Sequence, residues 1–210
     1  MGLFWKKQTE SVSWGVWKME ESWDELCEQL QNPDLVKESC KRFKAPHRRM
    51  EWLSVRRLLQ TLTTEPLNII YQPNGKPILD KAGWHISISH TKGYVAVIFG
   101  PQLVGIDIEQ YGQRVHRVAQ KFMRSDEICN PYQGDDTWSL LLHWSAKETL
   151  FKCLDATEVD FRKHLQICPF TLQKEGCLEA REYKTAQQRH FTLRYALHPD
   201  FVLTYLYNQD

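Results

Sequence analysis

The sequence lacks an excess of charge of either sign. Its 27 lysines and arginines are almost balanced by 26 aspartates and glutamates, so the formal net charge of the 210-residue chain is +1. Strongly basic chains bind nucleic acid through its phosphates, and strongly acidic chains form solvated tails. The near-balance excludes both general classes and leaves only local charged patches, so we expect no nucleic-acid partner.

Long apolar runs and paired cysteines are also absent. No run approaches the roughly 18 residues of a membrane span, and the first residues contain no apolar segment of a signal peptide. No two cysteines form a CxxC pair or cluster with histidines at zinc-finger spacing. The six are Cys27, Cys40, Cys129, Cys153, Cys168 and Cys177. These absences predict a reduced, soluble protein of the cytoplasm without a membrane partner.

What the chain does have is enough apolar material for a core. Hydrophobic residues make up 42% and aromatic residues 12% of the sequence. A disordered chain is poorer in both, and a chain of this length buries a sizeable core without needing disulfides or a metal ion to fold. No stretch is rich enough in Gly, Ser or Pro to form a long linker.

Helix signals fall into two groups along the chain. Ser22 and Glu25 have the spacing of a capping box, and Pro46 is a favoured residue for a first helical turn. The predicted helices cover about 22–30, 34–44, 46–59, 115–123 and 136–154.

Strand signals separate these groups and follow them. Asn74–Gly75 is a hairpin turn signal between 68–71 and 77–79. Further strands are predicted at 85–89, 94–99, 103–109, 165–170, 177–183, 191–198 and 201–207.

The hairpin of residues 86–99 is weakly echoed by that of residues 193–206. Two similar halves, each made of helices and an antiparallel sheet, would give an α+β molecule with a pseudo-twofold axis. We place the halves at 1–110 and 111–210. Chance similarity between two amphipathic hairpins is an open alternative.

The most informative segment is the strand of residues 104–109. Side chains alternate along a strand, so Ile106 and Ile108 point one way while Asp107 and Glu109 point the other. Two carboxylates roughly 7 Å apart on one face repel each other unless something neutralises them. A divalent cation would do so, and all-oxygen ligands favour magnesium over zinc. The alternative is an ordinary solvated strand face.

A second segment lies in the long helix of residues 136–154. Glu148 and Lys152 are four residues apart and therefore share one helix face, close to the stripe that contains Trp144. This places an acid and a base at the edge of the core. The alternative is an ordinary surface ion pair.

Two further segments carry groups that bind anions. Ser89, His90, Thr91 and Lys92 bring hydroxyl, imidazole and ammonium donors to a strand end, which suits a phosphate. Neighbouring strand residues point to opposite faces, so Ser89 and His90 do not form a hydrolase pair. The basic cluster of residues 41–49 is either a phosphate or acidic-partner site or a solvated helix face.

Together these segments resemble the 4′-phosphopantetheinyl transferase superfamily in their order and spacing. The resemblance is carried by Gly75–Pro77, Ile88–Thr91, Gly105–Glu109, and Trp144–Glu148 with Lys152. The length is similar to that of the pseudodimeric, surfactin-synthetase-activating type rather than to the half-sized trimeric enzymes. The resemblance implies that type's pseudo-twofold α+β fold and a monomer.

The resemblance also implies an activity. Such an enzyme moves the phosphopantetheine arm of coenzyme A to a serine of an acyl or peptidyl carrier protein and releases adenosine 3′,5′-bisphosphate. By resemblance, Asp107, Glu109 and Glu148 hold Mg²⁺. Glu148 helps to remove the serine proton, and Lys152 offsets charge on the leaving group.

The family also implies contacts to both substrates. Coenzyme A is assigned to Arg49, Lys76, Pro77, Ser89, His90 and Lys152, with Lys44, Arg48 and Arg56 as further candidates for its phosphates. The basic segment 114–124 is a candidate surface for an acidic carrier protein, through Arg117 and Lys121. Its alternative is a solvated helix face.

Two other functions stay open at this point. One is an inactive module that binds coenzyme A or a carrier protein, against which the intact Asp107, Glu109, Glu148 and Lys152 argue. The other is a magnesium-dependent phosphodiesterase that uses water in place of the carrier serine.

Overall fold

The chain forms two compact units in the computed structural model, which describes residues 2–154 and 156–207. One unit runs from the N-terminus to Gln102 and the other begins at Leu103. This division comes before residue 110, where the sequence predicts it. The reason is that the strand carrying Asp107 pairs with the last strand of the chain, so both belong to the second unit.

The first unit is built on a four-stranded antiparallel sheet with a separate hairpin. The strands are β1 (Leu3–Gln8), β2 (Ser13–Lys18), β3 (Ile69–Tyr71), β4 (Pro77–Leu79), β5 (His85–Thr91) and β6 (Tyr94–Gly100). The sheet has the order β1-β2-β6-β5, and the hairpin pairs β3 with β4.

Three helices complete the first unit: α1 (Trp23–Leu30), α2 (Pro33–Arg42) and α3 (Pro46–Leu62). The predicted capping box is confirmed, because the Ser22 hydroxyl accepts from the Glu25 backbone N–H while the Glu25 carboxylate accepts from that of Ser22. Helix α3 packs its leucines against the buried residues of β6, which forms the core of this unit.

The second unit has a five-stranded antiparallel sheet. Its strands are β7 (Val104–Gln110), β8 (Leu165–Ile167), β9 (Glu175–Glu182), β10 (His190–His198) and β11 (Phe201–Tyr207). Their order in the sheet is β7-β11-β10-β9-β8. Its helices are α4 (Arg114–Phe122), α5 (Thr137–Cys153) and α6 (Phe161–His164).

Helix α5 is the centre of the second unit. It packs against β7 and β11, and Leu142, Ala146 and Leu150 are fully buried along one side of it. Gly105 lets β7 approach the helix closely, since a Cβ there would lie 2.5 Å from Cys153 Sγ and 2.9 Å from the Thr149 carbonyl oxygen. The absence of a side chain at residue 105 therefore sets the distance between β7 and α5.

The predicted α+β class with antiparallel sheets is confirmed, and the last strand begins and ends at the predicted residues. The sequence did not predict β1, β2 or the short α6. The pseudo-twofold relation between the halves stays a prediction. In the part of the chain that the structure describes, no helix is both long enough and apolar enough to span a membrane.

Candidate active site

The acidic residues of β7 face helix α5. Gly105 approaches that helix, and residues 105, 107 and 109 share one face because side chains alternate along a strand. Ile106 and Ile108 lie on the other face and are fully buried. Asp107 is itself only 3% exposed. The strand thus places two carboxylates against the helix, where water solvates them poorly.

Helix α5 gives each of these carboxylates a donor. Lys152 Nζ donates to Asp107 Oδ1 at 2.8 Å and to the Ile106 carbonyl oxygen at 3.0 Å. Trp144 Nε1 donates to Glu109 Oε1 at 2.8 Å. Lys152 therefore forms its ion pair with Asp107 of the neighbouring strand. It also lies on the same helix face as Glu148, as the spacing in the sequence predicts.

Glu148 is the third carboxylate, and it lies on α5 between the two donors. Burial and the charge of Asp107 raise the pKa of Glu148 to about 7, although Lys152 opposes this. Burial and Asp107 also raise the pKa of Glu109 to about 7, against the hydrogen bond from Trp144. The three carboxylates thus repel one another where burial limits their hydration, and the Lys152 ammonium group offsets part of this repulsion.

The donor set fits a hard divalent cation. Carboxylate oxygens are the ligands that Mg²⁺ prefers, and positive charge would stabilise the ionised forms that burial opposes. Among the described residues, no group of three or more His, Cys, Asp or Glu side chains is arranged to hold a metal ion. Asp107 and Glu109 are oriented toward Lys152 and Trp144 instead.

A wide groove of about 950 Å³ opens beside Glu148. Trp144, Phe151 and Phe161 supply aromatic surface to it. Its charged lining is mixed, with Lys121 and Arg162 beside Glu158 and Asp160. Arg117, the other residue proposed for carrier docking, is exposed on α4 but does not line this groove.

A buried lysine, Lys147, connects several segments close to this groove. Lys147 is fully buried, and its Nζ donates to the Phe122 carbonyl at 2.7 Å and the Phe161 carbonyl at 3.3 Å. It also donates to Glu127 Oε2 at 2.8 Å, and Glu127 Oε1 accepts from the Ile167 N–H. Burial lowers the pKa of Lys147, against the attraction of Glu127. This ion pair and its hydrogen bonds join α5 to the end of α4, to the start of α6 and to β8.

The first unit contains a smaller cavity of about 300 Å³. Its walls carry aromatic rings, guanidinium groups, an imidazole and one carboxylate. The lining residues are Arg42, Phe43, Arg48, Glu51, Trp52, Val55, Tyr71, Gly75, Pro77, Ile88 and His90. The Arg42 guanidinium lies 4.3 Å from the centre of the Tyr71 ring. Arg48 contacts both Glu51, at 2.8 Å, and His90. The cavity therefore offers stacking surfaces and cationic donors together.

Among the residues assigned to coenzyme A, Arg48, Pro77 and His90 line this cavity. Lys76 lies between two lining residues of the turn. Ser89 is buried on the face of β5 opposite His90. The cavity thus gathers part of the assigned set.

The remaining assigned arginines have structural partners. Arg49 Nε donates to the Phe43 carbonyl at 2.7 Å, and Arg49 Nη2 donates to that of Lys44 at 3.3 Å, which closes the turn between α2 and α3. Arg56 is buried against the Trp52 ring and donates to the Trp52 carbonyl. Burial lowers the pKa of Arg56 to about 10. These contacts give Arg56 a structural role, and its assignment to a coenzyme A phosphate stays a prediction.

Sequence reasoning missed Glu51 and Tyr71 as cavity residues. Tyr71 ends β3 next to the Asn74–Gly75 turn, and that turn was a usable signal for it. Glu51 follows the basic cluster by two residues, and nothing in its spacing distinguishes it from a solvated acid.

Comparison with known proteins finds similarity over the stretch that contains this site. Residues 103–206 match the model of the 4′-phosphopantetheinyl transferase superfamily, and that stretch contains β7 and α5. The 4′-phosphopantetheinyl transferase gsp of Aneurinibacillus migulanus is 29% identical over 102 residues, which cover 46% of this chain and 43% of that protein. The match thus spans less than half the length of that relative. Residues 103–206, just under half of the chain, are therefore similar to the 4′-phosphopantetheinyl transferase superfamily.

Proposed function

We propose that this chain transfers the 4′-phosphopantetheine arm of coenzyme A to a serine of an apo acyl or peptidyl carrier protein. The other product is adenosine 3′,5′-bisphosphate. The observation that carries the proposal is the convergence of Asp107, Glu109, Glu148 and Lys152 on facing surfaces of β7 and α5. All four lie within the stretch that matches the transferase family.

The proposal assigns the binding of Mg²⁺ to Asp107, Glu109 and Glu148. When bound, the ion supplies positive charge that offsets the negative charge of a pyrophosphate. The protein contributes a site that is already short of water, where charges interact strongly and need little reorganisation. Loss of any one of the three carboxylates is expected to weaken the response to Mg²⁺.

The chemical step is a displacement at the β-phosphate of coenzyme A. The serine oxygen forms a bond to the β-phosphorus, and the bond from this phosphorus to the oxygen bridging to the α-phosphate breaks. Glu148 accepts the serine proton, directly or through one water. Lys152 lies beside Asp107 and offsets charge on the departing bisphosphate.

The cavity of the first unit is assigned to the nucleotide part of coenzyme A. Its volume of about 300 Å³ is at the lower end for small-molecule sites, so it suits part of so large a ligand rather than all of it. Tyr71 and Arg42 offer stacking surfaces for a base, and Arg48 and His90 offer donors for phosphate. Lys44, Arg49, Lys76, Pro77 and Ser89 remain assigned to the same ligand by the family resemblance.

The groove beside Glu148 is assigned to the carrier protein. Carrier proteins of this type are usually acidic near the modified serine. Lys121 and Arg162 are the cationic groups of the groove that would meet them, next to Glu158 and Asp160. Arg117 extends that charge along α4. We keep the cytoplasmic location, the monomeric state and the pseudodimeric type as parts of this proposal.

The test is a comparison of carboxylate variants in a transfer assay with coenzyme A, Mg²⁺ and several apo carrier proteins. D107N and E148Q are expected to abolish arm transfer at folded protein concentrations equal to the wild type. E179Q is the matched control, because Glu179 is an exposed acid of β9.

Three results would contradict the proposal in distinguishable ways. Full activity of D107N and E148Q would remove the acidic cluster from the mechanism. Binding of coenzyme A without any transfer would identify the inactive module. Cleavage of coenzyme A with no modified carrier would identify the phosphodiesterase.

A further inference from the structure

Three hydroxyl groups are buried together between α5 and the sheet of the second unit. Thr204 lies on β11 directly opposite Asp107 in the pairing of β7 with β11. Its Oγ1 is 2.8 Å from Ser145 Oγ and 2.7 Å from Thr149 Oγ1. All three residues are fully buried. The cluster therefore sits next to the backbone that carries the first acid of the site.

Every hydroxyl proton of this cluster has an acceptor. Thr149 Oγ1 is 3.3 Å from the Thr204 carbonyl oxygen, and Ser145 Oγ is 3.5 Å from that of Asp107. With those two protons directed to carbonyls, the Thr204 hydroxyl donates to Ser145 or Thr149. Hydrogen bonds prescribe direction as well as distance, which apolar contacts do not. The cluster consequently fixes how the helix is turned against the sheet.

The catalytic groups of α5 share the face that bears these hydroxyls. At 3.6 residues per turn, residues 145, 148, 149 and 152 fall within about 100° around the helix axis. Glu148 lies between the two hydroxyl residues in sequence, and Lys152 is one turn beyond Glu148. A rotation of α5, or a slide along β11, would break the bonds to Thr204 and displace Glu148 and Lys152 together.

We propose that Thr204, with Ser145 and Thr149, is a positioning residue that sets Glu148 and Lys152 against Asp107 and Glu109. The inference deepens the proposed function and rests on it. Thr204 does not contact the reacting groups by this account and acts only by holding α5 in register. Trp144, Lys147 and Lys152 also bond α5 to its neighbours, and the hydroxyl cluster adds directional contacts to the apolar packing of α5 on β11.

Two substitutions at one position separate hydrogen bonding from packing. T204V keeps the shape of the side chain and removes the hydroxyl, whereas T204S keeps the hydroxyl and removes the methyl group. Y195F is the matched control, because it also removes one hydrogen-bonded hydroxyl from this unit. The Tyr195 hydroxyl, on β10, accepts a hydrogen bond from the Gln173 N–H at 3.0 Å. Each protein is assayed for kcat, for the Mg²⁺ concentration at half-maximal rate, and for the melting shift produced by Mg²⁺ with coenzyme A in the absence of carrier.

We expect T204V to lower kcat about tenfold to a hundredfold, since displacements of about 1 Å have effects of that size. We also expect it to raise the half-saturating Mg²⁺ concentration and to reduce the melting shift. T204S and Y195F should stay within about twofold of the wild type in all three measurements, after correction for the folded fraction.

The inference is overturned if T204V and T204S behave alike, or if T204V loses activity only in proportion to its unfolded fraction. An active wild type with either result refutes the positioning role alone. A wild type that transfers no arm refutes the proposed function, and the melting shifts of T204V and T204S then decide the positioning role. Absence of both transfer and melting shift in the wild type overturns both.

Discussion

Replacing Gly105 by alanine tests whether the spacing of β7 and α5 controls the site. The added Cβ would meet Cys153 Sγ at 2.5 Å and the Thr149 carbonyl oxygen at 2.9 Å, against about 3.4 Å for an ordinary contact. One of these atoms is helix backbone, so a side-chain rotation cannot relieve the clash. The strand and the helix must separate by several tenths of an ångström up to about 1 Å.

The consequence differs for stability and for transfer. Overpacking of a well-packed core costs about 1–3 kcal/mol in the free energy of unfolding. Transfer should suffer more, because the same displacement moves Asp107 and Glu109 away from Glu148 and Lys152, and about 1 Å is worth roughly a hundredfold in rate. We expect G105A to stay folded at 25 °C and to lose about 99% of its kcat/KM.

The assays are urea unfolding and arm transfer measured on the same preparations. G112A is the matched control, because a Cβ at Gly112 meets nothing within 4 Å. The double change G105A/C153A removes the sulfur and leaves the backbone contact. It should recover part of the lost stability and a smaller part of the lost transfer activity. If G105A matches G112A in both assays, the close approach has no role in the site and the reasoning is refuted.

Three further predictions concern the same unit. K147M leaves Glu127 buried without its ammonium partner, so urea unfolding should show a loss of about 3–5 kcal/mol in the free energy of unfolding. The double variant K147M/E127Q should recover part of that loss. Equal stability of K147M and the wild type would contradict the prediction. Burial opposes the charge of Glu182, but hydrogen bonds from its hairpin hold its pKa below the usual range. Its contribution to stability is therefore present above about pH 4.5 and is lost as the pH falls. E182Q should lower the free energy of unfolding more at pH 7 than at pH 3, and a difference that does not depend on pH would refute this. R117E with K121E should raise KM for the carrier with little change in kcat, and an unchanged KM would exclude α4 from docking.

Parts of the site followed from the sequence because they depend on local periodicity. The alternation of residues 104–109 is enough to place Asp107 and Glu109 on one face of a strand. The spacing of Trp144, Glu148 and Lys152 is likewise enough to place them along one side of a helix. Both relations are properties of a single element, so they hold wherever that element packs.

Other parts depend on which distant elements meet, and no local pattern encodes that. Thr204 reads as one residue of an apolar terminal strand, and only the pairing of β11 with β7 places it opposite Asp107. Lys147 is a charged residue of a mostly apolar helix, and only the packing of the segment after α4 supplies its buried partner Glu127. The strand β1 was missed because its second half is polar and exposed at a sheet edge, which weakens the hydrophobic signal.

The most direct test of the account is the intact mass of an apo carrier protein after incubation with this protein, coenzyme A and Mg²⁺. Parallel reactions contain EDTA, or a carrier whose acceptor serine is replaced by alanine. The account predicts a gain of one phosphopantetheine arm, with an equal amount of adenosine 3′,5′-bisphosphate, in the complete reaction alone. An unchanged carrier mass across several carriers, with folded protein and intact coenzyme A, would contradict it.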